Sequence, residues 1–237
     1  MSKFLLAAVV TLSLTSAGQA ADMPVKAARV APPPVVFSWT GFYIGGTVGY
    51  GWGNPHHVDG GGFRSPSFDI DGAVAGVTVG VNYQINRIVL GFEGDWSWAN
   101  IEGATPQNPA FCGTVCTTEI KSFATARGRL GVAVTDRLLI FGTAGAAWTR
   151  ISGSINGVQG ATDTKSGWTA GGGLEWAITD QFSFKAEYLH VDVPNFAYDT
   201  ALVCGGIPCS TTRNDFDVVR VGVNYRFGFG GPVVARY

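Results

Sequence analysis

The sequence predicts an all-β fold, an eight-stranded antiparallel transmembrane β-barrel with up-and-down topology, and three observations carry that prediction. Eight segments alternate apolar residues with polar or small ones at a period of two, the pitch at which side chains on a strand change faces. The links between those segments alternate between tight turns and long stretches. Beyond the N-terminal region no apolar run reaches the roughly 18 residues of a helical span, and a chain entering lipid without helices must close into a barrel to satisfy its backbone hydrogen bonds. With 34 glycines, 12% aromatic and only 14% charged residues in a chain of 237, the composition is unlike that of a water-soluble enzyme. A formal net charge of -1 provides no basic field for nucleic acid, which is excluded as a partner.

Residues 1–20 are expected to be a secretory signal peptide: Lys3 supplies the positive region, Phe4 to Leu14 the apolar run, and Gly18-Gln19-Ala20 a small-x-small cleavage site. Residues 21–36 contain Pro24, Pro32, Pro33 and Pro34, cannot pack as helix or central strand, and are expected to form a periplasmic linker. The barrel is expected over residues 37–227 and a C-terminal tail over 228–237.

The eight strands are placed at Trp39 to Trp52, Asp71 to Ile85, Ile88 to Ile101, Glu119 to Val134, Leu138 to Ile151, Ser166 to Ile178, Phe182 to Val193 and Asp215 to Phe227, each longer than the roughly 9 to 11 residues a tilted strand needs to cross the hydrocarbon. The third puts Ile88, Leu90, Phe92, Trp96 and Trp98 on one face and Glu93, Asp95 and Ser97 on the other. In the last, Val219, Val221, Val223, Tyr225 and Phe227 alternate with Arg220, Gly222, Asn224 and Arg226, apolar outside and charged inside. Asn86-Arg87, Thr135-Asp136-Arg137 and Thr179-Asp180-Gln181 are tight turns, and the other four links are long. In bacterial barrels the short turns are periplasmic and the long loops extracellular.

The same parity directs Glu93, Asp95, Arg127, Arg129, Glu175, Lys185, Glu187, Arg220 and Arg226 into the lumen. An eight-stranded barrel is only wide enough for side chains to fill it, and buried charges must pair, so an interior salt-bridge network is preferred to an ion-conducting lining. Cys112, Cys116, Cys204 and Cys209 lie in long loops of an exported chain and are expected to form disulfides. Short spacing favours local pairs, and cross-loop bridging is the alternative. His56-His57 reads as a solvated loop pair, and His190 as facing away from the lumen. Gly49-x-Gly51-x-Gly53 and Gly171-Gly172-Gly173 precede no helix and are not phosphate loops. The tryptophans Trp39, Trp52, Trp96, Trp98, Trp148, Trp168 and Trp176, with Tyr43, Tyr50, Tyr83 and Tyr225, are expected in interfacial girdles.

Three stretches carry a family resemblance: Trp39-Thr40-Gly41-Phe42-Tyr43-Ile44-Gly45-Gly46, Gly91-Phe92-Glu93-Gly94-Asp95, and Val219-Arg220-Val221-Gly222-Val223-Asn224-Tyr225-Arg226-Phe227. Through them the chain resembles the small OmpA-like outer-membrane β-barrels of rhizobia and related Gram-negative bacteria, called outer-membrane immunogenic or porin-family proteins. The resemblance implies the cell outer membrane as location, and abundant surface antigens that stabilise the envelope, some with porin-like or haem-binding roles. It also implies a terminal aromatic read by the barrel-insertion machinery, with Tyr225 and Phe227 or the terminal Tyr237 as the signal.

The function expected is therefore a structural surface protein whose filled barrel anchors four extracellular loops, in contact with outer-membrane lipid and open to an extracellular ligand at the loops. The alternative is a narrow porin-like channel or a small-ligand, haem-type binder. No catalytic residue, metal ligand or cofactor is assigned: His56, His57 and His190 have no partnered serine in sequence, and an enzyme is not expected.

Mass mapping of non-reduced peptides is expected to join Cys112 to Cys116 and Cys204 to Cys209. A peptide linking one pair to the other would refute this pairing.

Overall fold

The computed structural model describes residues 37–59, 67–104, 116–155, 158–194, 196–197, 209–212 and 215–227. Eight strands close the barrel: β1 (Gly41–Gly53), β3 (Ile70–Ile85), β4 (Ile88–Ala104), β5 (Cys116–Thr135), β6 (Leu138–Ile155), β7 (Val158–Ala177), β8 (Phe182–Asp192) and β11 (Phe216–Phe227). All neighbours are antiparallel, and β1 closes against β11 with Phe42 opposite Phe227 and Gly53 opposite Phe216. Three short strands, β2 (His56–Asp59), β9 (Phe196–Ala197) and β10 (Cys209–Thr212), form a separate sheet in the order β2-β10-β9. Closure places β1 and β8 on either side of β11, so the connections following β1 and β8 emerge side by side and can pair.

The predicted boundaries hold within a few residues at the periplasmic ends, where the turns are tight. Asn86 adopts φ 54, the left-handed conformation that asparagine tolerates in two-residue hairpins. Thr179 Oγ1 accepts the backbone N–H groups of Gln181 (3.2 Å) and Phe182 (2.9 Å) and fixes the third turn. At the opposite end the strands run further than alternation alone predicts. β6 and β7 stay paired out to Ile155 opposite Val158, so the link expected to be a long loop is an extended hairpin with only residues 156–157 between its strands. Cys116 and Cys209, expected in loops, open β5 and β10, and only their backbone is described. Cys112, Cys204 and all four sulfurs lie outside the described residues, as do residues 1–36, the tail and Tyr237.

The outer wall is apolar. Ile44, Val48, Val77, Val79, Leu90, Phe92, Leu130, Ile140 and Val223 are among the side chains exposed on it, and lipid rather than water is their solvent. From Leu138 beside a periplasmic turn to Trp148 near the other edge, a tilted β6 covers about 25 Å, the height of a barrel's apolar band. Trp52, Trp96, Trp98, Trp148 and Trp168, with Tyr50, are exposed toward the extracellular edge, and Trp176, Tyr83 and Tyr225 toward the periplasmic edge. Trp39 and Tyr43 are exceptions to the expected girdles, being 0% and 3% exposed inside the barrel.

Register explains much of the glycine content. Six large inward side chains have glycine as a cross-strand neighbour: Tyr43 opposite Gly80, Arg220 opposite Gly49, Arg129 opposite Gly91, Arg127 opposite Gly145, Lys185 opposite Gly222 and Glu187 opposite Gly173. A Cβ at Gly80 would collide with the Tyr43 ring, and one at Gly49 with the Arg220 backbone. Gly80, Gly49, Gly145 and Gly173 make room for their partners, a more specific role than easing the bend of the wall.

Gly80→Ala is accordingly expected to cost about 1 to 3 kcal/mol by overpacking. Gly46→Ala, on the outer wall with nothing within 4 Å of the added methyl, should be neutral or slightly stabilising. Urea unfolding in lipid vesicles checks both, and equal losses would refute the packing account.

Candidate functional site: the barrel interior

Eight of the nine charges assigned to the lumen meet in one buried network. Asp95 and Glu93 come from β4, Arg127 and Arg129 from β5, Glu175 from β7, Lys185 and Glu187 from β8 and Arg220 from β11, each 7% exposed or less. Arg220 grips Asp95 with both terminal nitrogens (2.9 and 3.1 Å) and Glu187 with Nε (2.7 Å). Arg127 donates to Glu93 (2.5 Å), Asp95 (2.8 Å) and Glu187 (3.1 Å), and Lys185 bridges Glu93 (2.9 Å) and Glu187 (3.0 Å). Arg129 pairs with Glu175 and lies 3.8 Å from the centre of the Phe141 ring.

Neutral side chains complete the set. Tyr43 donates to Glu93 (2.7 Å), Ser183 and Asn224 donate to Glu175 (2.5 and 2.9 Å), and Thr125 donates to Asp95. Parity alone places these residues inward; in sequence Asn224 reads as inward, Tyr43 as a girdle residue, and Thr125 and Ser183 carry no charge to single them out. Four carboxylates thus face four bases with multiple charge-assisted bonds each, the condition under which buried charges are tolerated.

The ninth charge stands apart. Arg226 was expected in the network, yet it meets no carboxylate among its direct bonds: it donates to the backbone carbonyls of Ser38 (3.3 Å) and Asp180 (3.2 Å) and stacks on Phe37 (4.2 Å) and Trp39 (4.8 Å). It lies one turn of alternation beyond Asn224, at the periplasmic mouth, where the chain leading into β1 folds inward. Trp39 is held there by its backbone N–H on Gln84 Oε1 (2.7 Å).

Both ends of the lumen are apolar, which the sequence reading missed. Trp39, Val89, Ala133, Leu139, Phe141 and Ala177, with Phe37 against them, fill the periplasmic mouth. At the extracellular end Ile70, Val74, Ile101, Ile120, Phe123, Ile151, Leu189, Val191, Phe216 and Val218 belong to a second cluster, with Phe123 and Phe216 edge to face at 5.5 Å. The signal was present: Val89, Leu139, Leu189 and Val218 have inward parity.

This charged layer between two apolar plugs sits in a chain whose residues 6–227 match the family described as outer membrane protein beta-barrel domain. The chain belongs to that family. It is 33% identical over 245 residues to the 31 kDa outer-membrane immunogenic protein of Brucella melitensis, covering 96% of this chain and 100% of that one. It is 32% identical over 210 residues to the 25 kDa outer-membrane immunogenic protein of Brucella canis (86% and 85% covered), and 28% identical over 206 residues to a 22 kDa outer membrane protein of Rhizobium leguminosarum bv. viciae (84% and 83%). As an outer-membrane member of this family, the protein carries its apolar wall in lipid and its short turns on the periplasmic side.

The remaining sequence candidates sit outside the lumen. His190 faces outward, as expected, with Nδ1 2.8 Å from Asp217 Oδ1, an oxygen that also accepts the Tyr188 hydroxyl at 2.6 Å. That histidine–carboxylate contact was not foreseen. His56 and His57 lie in β2 opposite Thr212 and Thr211, and only their backbone is described. Tyr225 and Phe227 stack edge to face at 5.0 Å on the outer wall. Above the girdle on β7, Lys165 and the backbone N–H of Thr164 hold the Asp163 carboxyl below its usual range.

Arg220→Ala would leave four buried carboxylates to three bases, with Asp95 and Glu187 each losing a partner, and is expected to cost about 3 to 5 kcal/mol. Arg226→Ala strands no carboxylate and should cost about 1 to 2 kcal/mol through lost carbonyl bonds and stacking. Equilibrium urea unfolding of both variants measures the difference, and equal costs would contradict the separation of Arg226 from the network.

Proposed function

We propose that this outer-membrane barrel is a structural surface protein: a solid, side-chain-filled anchor that holds its extracellular connections at the cell surface and contributes to envelope integrity. The observation that carries the reading is the layered interior, apolar at both mouths and fully paired in charge between them. A conducting path would have to cross two apolar clusters and break multiply bonded ion pairs, whereas an anchor needs only a closed, rigid wall. That relatives are named immunogenic outer-membrane proteins supports exposure of the connections to the exterior. The role proposed is non-catalytic.

Reconstituted in a planar bilayer, the protein is expected to pass no sugar-sized solute and to show at most small, irregular conductance. Stable, large, ohmic channels from the unmodified chain would replace the anchor with a porin, and saturable haem titration would favour a ligand-binding role.

A further inference from the structure

The outer wall carries one cleft in which polar donors and tryptophans converge. Trp96 on β4, Ala124 on β5 and Trp148 on β6 are cross-strand neighbours, so two exposed indoles flank a floor without bulk. Two residues further toward the exterior, Ser122 stands opposite Arg150, and Arg150 opposite Thr164. Ser122 is 8% exposed at the base of this cleft of ≈ 120 Å³, and Arg150 and Thr164 border it. Liquid water takes about 30 Å³ per molecule, so the space admits a group of a few heavy atoms.

The level of the cleft sets its solvent. The tryptophans belong to the extracellular girdle, which places Arg150 where the apolar band ends and headgroups begin. Both β4 and β5 break register here, between Trp98 and Ile101 and between Ile120 and Ser122. The β5 irregularity contains Lys121, which is exposed and next to Ser122 in the chain; bulges of this kind re-aim side chains.

Charge then selects the occupant. Arg150 makes no hydrogen bond or ion pair among the described residues. Among the described residues Lys121 pairs with Glu119 at 3.4 Å, both ends more than a third exposed, a contact too solvated to neutralise it. The neighbouring acid on β7, Asp163, is engaged by Lys165 at 2.8 Å. Of the outward carboxylates on the rim, Asp71 on β3 and Asp217 on β11 each accept a tyrosine hydroxyl, while Glu102 on β4 and Glu119 on β5 stand opposite each other beyond the cleft toward the exterior. An unpaired guanidinium above a tryptophan-walled cleft at headgroup depth complements one partner class.

We propose that Ser122, Arg150 and Thr164, with Lys121 beside them, form a binding site for the phosphate-bearing headgroup of an outer-leaflet lipid, whose acyl chain lies between Trp96 and Trp148. Arginine provides two parallel donors to a phosphate, and the hydroxyls can supply the rest. The acyl chain gains the indole faces without displacing any charged group.

The test is native mass spectrometry of the full chain, refolded in detergent, with equal amounts of phosphatidylglycerol and phosphatidylcholine of identical acyl chains. The expected result is preferential retention of phosphatidylglycerol, lost about tenfold in Arg150→Gln, the scale of one charge-assisted hydrogen bond, and largely kept in Arg150→Lys. Arg137→Gln, which removes an exposed cation at a periplasmic turn, should change nothing. Retained heat-dependent gel mobility shows that each variant is folded. Equal retention of the two lipids, or an unchanged Arg150→Gln, overturns the proposal. Complete displacement by millimolar inorganic phosphate would mean a free-anion site instead of a lipid site, and a dimer signal abolished by Arg150→Gln would assign the cleft to a second copy of the chain; either result also overturns it.

Discussion

Four carboxylates and four bases must neutralise one another in a space that admits no bulk water, and the rest of the barrel is arranged around that requirement. Pairing alone is insufficient, because desolvating each ion costs several kcal/mol and is recovered only when the geometry is good and further hydrogen bonds support each charge. Here the oxygens of Asp95 are shared among Arg127, Arg220 and Thr125, and those of Glu175 among Arg129, Ser183 and Asn224. The long side chains that do this need space across the wall, and the glycines opposite them are the geometric consequence. Replacing such a glycine removes no bond, yet it moves a charge that has nowhere else to go.

The apolar mouths follow from the same constraint. Water entering from either end would raise the local dielectric and offer each ion an alternative partner, loosening the network. The Phe123–Phe216 cluster and the Trp39–Leu139 cluster exclude it. Arg226 is the informative case: a base placed outside the network takes backbone carbonyls and the faces of Phe37 and Trp39 in place of a carboxylate, and in doing so it ties the entering chain into the mouth.

What was legible in the sequence was what period-two parity encodes. Parity directs Glu93, Arg127, Lys185 and Arg220 inward because lipid tolerates no outward charge in mid-span, and Asn86 and Thr179 mark the tight turns. Parity says which face a residue occupies and nothing of its depth, so Arg226 was grouped with charges lying farther along the axis. Trp39 precedes the first strand, where no alternation constrains it, and its type suggested a girdle while its backbone turns it inward. The hairpin of β6 and β7 reads as a loop in sequence because Ser152 to Lys165 is mostly small and polar, without sustained alternation. Once strands leave the membrane, lipid no longer enforces alternation, and the Asn156-Gly157 pair was the surviving sign of a hairpin.

Solidity inside also determines where the protein can meet other molecules. With the lumen filled, recognition is left to the extracellular connections and to the outer wall. The former are drawn together by closure itself, since β1 and β8 flank β11 and their following segments pair as β2, β10 and β9. The wall is apolar except at its upper edge, where the hydroxyls of Tyr50 and Tyr188 donate to Asp71 and Asp217. At that edge Arg150 makes no ion pair among the described residues, in a chain of net charge -1. Composition reports the average of those charges; the function of each depends on whether the fold has given it a partner.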